Sequence, residues 1–185
     1  MKELSLNILD IAENSVKAGA SLIKILLFED ESALKISIED NGCGMTPEIL
    51  NSVTNPFYTT RTTRDVGLGI PLFKMSAEQT GGDFHITSKV DDGKSDDHGT
   101  LITASYDKKH LDFTPLGDVV STVTTLIQGH PDRDFLFVHK INALEVSLDT
   151  RELRAILDPV PLSEHEVLLW IDGSLREQYD EINKA

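Results

Sequence analysis

Two short stretches bring together residue types that could do chemistry. In "LDIAENSVKAGAS", Asp10 and Asn14 stand four residues apart. On a helix that spacing projects both side chains from one face. The carboxylate could accept a proton from water and the amide oxygen could bind a hard cation. Magnesium takes oxygen ligands, keeps most of its waters and is typically held by one or two protein groups plus a substrate's phosphates. In "DNGCGM", Asp40 is followed by Gly42 and Gly44. A carboxylate there can accept hydrogen bonds in a pocket, and the glycines let a ligand come close to the main chain. Each stretch also has a plainer reading. The first could be a solvated helix face, and the second a tight turn capped by its own Asp or Asn.

These groups need elements to hold them. Residues 3 to about 18 carry Leu4, Ile8, Ile11 and Ser15 on one stripe, flanked by Leu9 and Ala12, which predicts a helix. "LIKILLFE" (22–29) and "ALKISIED" (33–40) alternate as strands, joined by the acidic turn Asp30, Glu31, Ser32. Asp40 therefore closes a strand. "TPEIL" opens a short helix with Thr46 as N-cap and Pro47 at its first position. The segment "VGLGIPLFKMSAEQTGG" enters a helix that stops at Gly81 and Gly82. Strands "DFHITSKV" and "TLITASY" flank the polar loop "DDGKSDDHG". The order α-β-β-α-loop-α-β-β points to an α+β sandwich, one mixed sheet with helices on one face.

Around residues 107–118 the character changes to that of a connector. Beyond it the pattern predicts a helix (118–128), strands "DFLFVHK" and "ALEVSLD", a helix capped at Asp149 or Thr150, and a last helix from Ser163. The expected division is residues 1–108, and 109–185 as a small C-terminal α/β subdomain. Residues 1–110 hold 11 basic and 17 acidic side chains, and residues 111–185 hold 6 and 14, so the shorter segment is the more acidic.

The chain's net charge of −14 opposes nucleic acid and anionic lipid as partners. No apolar run is long enough to span a bilayer, and "MKELSLNILD" lacks the apolar block of a signal peptide. The single cysteine, Cys43, fits a reducing, cytoplasmic setting and reads as structural between the two glycines. In so acidic a chain a bound polyanion needs local help. "VGLGI" opens a helix whose unpaired amides and dipole favour an anion. The loop before it holds Thr59, Thr60, Arg61, Thr62, Thr63 and Arg64, with the only arginines of the first 110 residues. That concentration suggests a phosphate.

In order, "LDIAENSVKAGAS", "DNGCGM", "PFYTTR", "VGLGI", "GG" and "HGT" resemble the motifs of the GHKL ATPases, which share the Bergerat ATP-binding fold. The first two look most like MutL-type mismatch-repair ATPases, and the later ones like the catalytic domain of sensor histidine kinases. The resemblance covers roughly residues 4–106 and implies a Bergerat-type α/β sandwich that binds ATP with Mg2+. By that resemblance Asp40 would accept the adenine amino group, with Gly42 and Gly44 letting the base lie on the backbone. Asn14 would hold the magnesium, and Asp10 occupies the general-base position. Gly67, Leu68 and Gly69 would bring backbone amides to the phosphates, beside Thr60 and Arg61. Thr100 would support the adenine end. Met45 and Ile70 would line the pocket or belong to the core.

Two positions depart from the family pattern. Asp10 is one methylene shorter than the glutamate of many relatives, which bears on how fast water is activated. Asp65 replaces a glycine that often opens the phosphate segment. A sensor kinase also carries a phosphoacceptor histidine on a helical hairpin ahead of the ATPase domain, and this sequence starts directly with the first ATPase helix. Of six scattered histidines only His165, in "SEHEVLL", faintly echoes such a site, and a solvated helix is the plainer reading. The C-terminal segment faintly resembles that of small ATP-binding proteins accompanying iron-only hydrogenase systems, a resemblance that implies no chemistry. Three functions follow. One is a stand-alone ATPase that phosphorylates or regulates a separate partner protein, with an anti-sigma-type serine kinase as a variant. The second is a nucleotide-gated module with little turnover, and the third a domain that has lost nucleotide. The phosphoacceptor is unidentified, and a homodimer stays open.

Overall fold

The computed structural model describes residues 3–54 and 68–184. Its first helix, α1 (Leu4–Lys17), buries Leu4, Ile8, Ile11, Ala12 and Ser15, the stripe expected from the 3.6-residue period. Strands β1 (Leu22–Glu29) and β2 (Ala33–Asp40) follow over the residues whose alternation predicts them. Helix α2 (Pro47–Val53) begins at Thr46, whose hydroxyl accepts the Ile49 amide at 3.4 Å. Helix α3 (Gly69–Glu78) and strands β3 (Phe84–Lys89) and β4 (Gly99–Asp107) complete the first part. The remainder is α4 (Val119–Gly129), β5 (Asp134–Ile141), β6 (Leu144–Asp149), α5 (Thr150–Leu157) and α6 (His165–Lys184). Asp149 caps α5 by accepting the Arg151 amide.

The six strands among the described residues join one sheet in the order β3-β4-β2-β1-β5-β6. The pairings are antiparallel except β1 with β5, which run parallel. The sheet therefore runs unbroken past residue 108, where the change in sequence character suggests a boundary. Registers carry the core across it: Ile38 lies between Ile25 and Ile102, and Ile25 faces Phe137, which faces Leu148. Those side chains, with Ile23, Leu27, Ile36 and Phe135, are buried on a single face. Helices α1, α3 and α4 cover that face, α6 packs on α4 and β6, and α5 on β5. The architecture is the α+β sandwich of a mixed sheet with helices that the element order predicts.

The C-terminal segment is tied back to α1 by its own polar groups. The amides of Leu4 and Ser5, unpaired within their helix, donate to the carbonyls of Pro115 and Leu116 at 3.0 and 2.8 Å. His130 meets Glu13 at 2.9 Å, and Arg133 donates to the Ala20 carbonyl at 3.1 Å. Deeper in, His139 on β5 is almost fully buried between Tyr179 of α6 (2.7 Å) and Glu29 of β1 (2.9 Å). Glu29 also accepts from Lys108 at 2.6 Å. Burial opposes charge on Glu29, but the hydrogen bond from His139, and then Lys108, hold its carboxyl below the ordinary range.

Candidate nucleotide site

Asp40 ends β2 with only 9% of its surface exposed. A buried carboxylate needs donors, and among the described residues it has two. Ser15 donates to Oδ2 at 2.6 Å from the apolar stripe of α1, and the Gly42 amide donates to Oδ1 at 2.9 Å. The second bond is the turn that "DNG" predicts, so the turn and pocket readings hold at once. Each oxygen keeps a lone pair, and the side chain lines a cavity of about 170 Å³ under α1, α2 and α3. The rest of the lining is mainly apolar: Ile11, Ala18, Met45, Ile49, Ile70 and Ile102.

The loop after Asp40 is fixed from every side. Asn41 Oδ1 accepts the amides of Ser21 and Leu22, each at 2.9 Å. The Cys43 amide donates to the Ala18 carbonyl (2.9 Å) and the Met45 amide to Ser88 Oγ (2.8 Å). His98 Nδ1 lies 2.8 Å from the Gly42 carbonyl, which can only accept, so Nδ1 carries the proton. Gly44 has φ +67°, and a β-carbon on it would stand 2.0 Å from the Lys89 carbonyl oxygen; no other residue fits. Cys43, between the glycines, is exposed and free and lines the cavity. The steric demand of the turn falls on the glycine after it.

Thr100 is the cross-strand partner of Asp40, lines the same cavity, and shares a 2.8 Å hydrogen bond with Ser88. Asn14 and, one turn further, Lys17 reach the cavity from α1. Asp10 lies outside the lining, exposed on the same helix. Gly69, the first residue of α3, seats that helix on both: its missing β-carbon would be 3.2 Å from Asp10 Cβ and 3.7 Å from Asn14 Nδ2. Leu68, the N-cap of α3, is 59% exposed. The start of α3 at Gly69 thus lies beside Asn14 and Asp10, and the start of a helix favours an anion. Thr60, Arg61 and Gly67 lie outside the described residues, as does Asp65.

A family model for the histidine kinase-, DNA gyrase B- and HSP90-like ATPases matches residues 1–110. The chain belongs to this ATPase family. Among curated proteins, sporulation kinase A of Bacillus subtilis is 28% identical over 59% of this chain and 17% of its own length. Sensor protein SrrB of Staphylococcus aureus is 34% identical over 50% of this chain and 17% of its own. This chain thus spans about a sixth of such relatives. The solved Aquifex aeolicus MutL ATPase domain, complexed with ADP, aligns at a TM-score of 0.51 with 15% identity, covering 80% of this chain and 63% of that one. That likeness is one of fold. Its 80% is more than residues 1–110 supply, so the shared fold reaches into the C-terminal segment.

Within this GHKL ATPase domain, sequence reasoning passes over Ser15 and Lys17 at the cavity and His98, which holds the loop beside it. Ser15 reads as one more member of an apolar stripe, although a hydroxyl on a buried stripe signals a polar partner. Lys17 is three residues from Asn14, a helical spacing that places it on the same side. His98 gives no periodic signal, because its role comes from where the β3–β4 loop folds. Among the described residues no group of three His, Cys, Asp or Glu could hold a metal ion. No helix among them is long and apolar enough to cross a membrane.

Proposed function

We propose that the chain binds ATP together with Mg2+ and uses it to phosphorylate or regulate a separate protein. The observation that carries this is the buried Asp40 carboxylate facing an apolar cavity with acceptor capacity to spare. Such a floor suits a flat ring that is apolar on its faces and donates from an amino edge. Whole drug-sized ligands need roughly 300 Å³ or more, so about 170 Å³ takes a base and leaves the sugar and phosphates outside. The base's amino group donates to Asp40, while Gly44 and Met45 let it lie against the loop. The phosphates lead towards Asn14, Lys17 and the amides at the start of α3.

Magnesium fits this donor set as an ion held mainly by phosphates and waters, with the Asn14 amide oxygen as its protein ligand. When bound, it neutralises the charge that develops on the phosphates. In this reading Asp10, one turn before Asn14, accepts a proton from an attacking water or hydroxyl. ADP in the MutL structure and the kinase names of the curated relatives support this reading. A cytoplasmic signalling role follows from it. A second reading, a nucleotide-gated module with little turnover, draws on the short and exposed side chain of Asp10.

The test is to incubate the protein with Mg2+ and γ-labelled ATP beside Asp40→Asn and Asp10→Asn. Asp40→Asn turns an acceptor edge partly into a donor, so nucleotide binding by calorimetry is expected to vanish. ATP affinity equal to the parent's would overturn the site. Asp10→Asn is expected to bind as the parent does and to lose turnover. Label kept on the protein, including at His165, supports phosphotransfer; label released as phosphate supports conformational use of ATP; label left on bound ATP supports the gated module.

A further inference from the structure

A second concavity lies at the other end of the sheet, apart from the nucleotide site. It has about 460 Å³ and is floored by Leu136 and Val138 of β5. Both alternate with the buried Phe135 and Phe137, so they emerge on the sheet face that α1, α3 and α4 leave uncovered. Leu153 and Ile156 of α5 form one wall, and Trp170 of α6 another. Ile156 is 79% exposed and Trp170 56%. Large apolar side chains gathered around one groove mark an interaction surface more than scattered ones do.

The groove's charges say what fits it. Glu145, Asp149 and Glu152 line it; Arg151 pairs with Asp149 at 2.6 Å and Lys140 lies 3.7 Å from Glu145, while Glu152 makes no ion pair and no cation lines the groove itself among the described residues. It sits in the segment that carries 14 acidic against 6 basic residues. We infer that this groove docks a basic amphipathic helix of a partner protein, apolar side chains against Leu136, Val138, Ile156 and Trp170, and lysines or arginines against the acidic rim. A helix suits it better than an added strand. The outer edge of β6 is occupied at Ser147, whose amide donates to Gln178 Oε1 at 2.9 Å and whose carbonyl accepts from Gln178 Nε2 at 3.3 Å. A second copy suits it worse, because a two-fold contact through this patch would set the acidic rims against each other. The inference stands independently of the nucleotide reading.

Trp170 is the chain's only tryptophan, so its fluorescence reports the groove directly. The probe is a synthetic Leu–Lys helical peptide of about 18 residues, five turns, with a Leu–Glu peptide of the same pattern as its opposite. The Leu–Lys peptide is expected to shift Trp170 emission to the blue and bind saturably, and the Leu–Glu peptide to do neither. A Glu145→Lys, Glu152→Lys double variant should bind it at least about tenfold more weakly, as should Ile156→Asp; all three positions are exposed. Asp96→Lys, in the β3–β4 loop at the far edge of the sheet, should bind as the parent does. No emission shift, equal weakening by Asp96→Lys, or equal binding of the Leu–Glu peptide overturns the inference. Self-association in sedimentation that Trp170→Ser abolishes also overturns it, in favour of a second copy.

Discussion

A β-carbon placed on Gly69 would stand 3.2 Å from the β-carbon of Asp10. That distance is shorter than ordinary contact, and the atom it meets is fixed to the α1 backbone. Gly69 is therefore the point at which α3 rests on the helix carrying Asp10 and Asn14.

Gly69→Ala should consequently separate effects on folding from effects on binding. The helix gains propensity worth up to about 1 kcal/mol, which offsets the crowding. Thermal unfolding should thus change by only a few degrees. The small displacement of α3 moves its amides away from Asn14, and ATP affinity should fall about tenfold, or 1.4 kcal/mol. Calorimetric titration alongside a melting curve checks both. Unchanged affinity would show that the start of α3 takes no part in nucleotide binding.

Ser15→Ala removes one of the two donors that Asp40 has among the described residues. Leaving a buried charged group short of a partner costs about 1–3 kcal/mol. Urea unfolding should show a lower midpoint with an unaltered slope. If ATP binds over Asp40, saturating nucleotide should recover a large part of the lost stability, because the base supplies a donor to the same carboxylate. A loss that ATP leaves untouched would mean Ser15 serves packing alone.

Glu29 gives a pH prediction. Its ordinary value is 4.5 and its folded value is lower, with the His139 hydrogen bond as the largest cause. A depressed carboxylate contributes stability that is fully present above its unfolded value and is lost as pH falls through the folded one. The parent should therefore hold its stability down to about pH 4.5 and lose this contribution below it. Glu29→Gln should be less stable at pH 7 and lose less on acidification. Urea midpoints at neutral and acid pH compare the two. Parallel curves for parent and variant would remove Glu29 from the acid response.

The elements of the nucleotide site were legible because each rests on local grammar. β1 and β2 alternate cleanly, Thr46 and Pro47 spell a helix start, and Asp40 closes a strand. Ser15 was hidden because a period reports which face a residue is on and not whom it meets there. For the same reason β5 could be recognised as a strand while its place beside β1 could not. Parallel pairing joins residues a hundred positions apart, and nothing local records the partner. The His139 network and the groove under Trp170 are likewise products of that long-range pairing.

The place of β5 has a consequence for how the chain is made. β1 emerges from the ribosome with one neighbour close behind it, β2, and another about a hundred residues later. At 5–20 residues per second, one flank of what will be the sheet's central strand waits on the order of 10 s for its mate. Until then the row Ile23, Ile25 and Leu27 borders an open edge, the condition that invites chaperones or sticking to a neighbour. The ATPase motifs are finished early in synthesis, but the sheet that carries them closes only when β5 arrives.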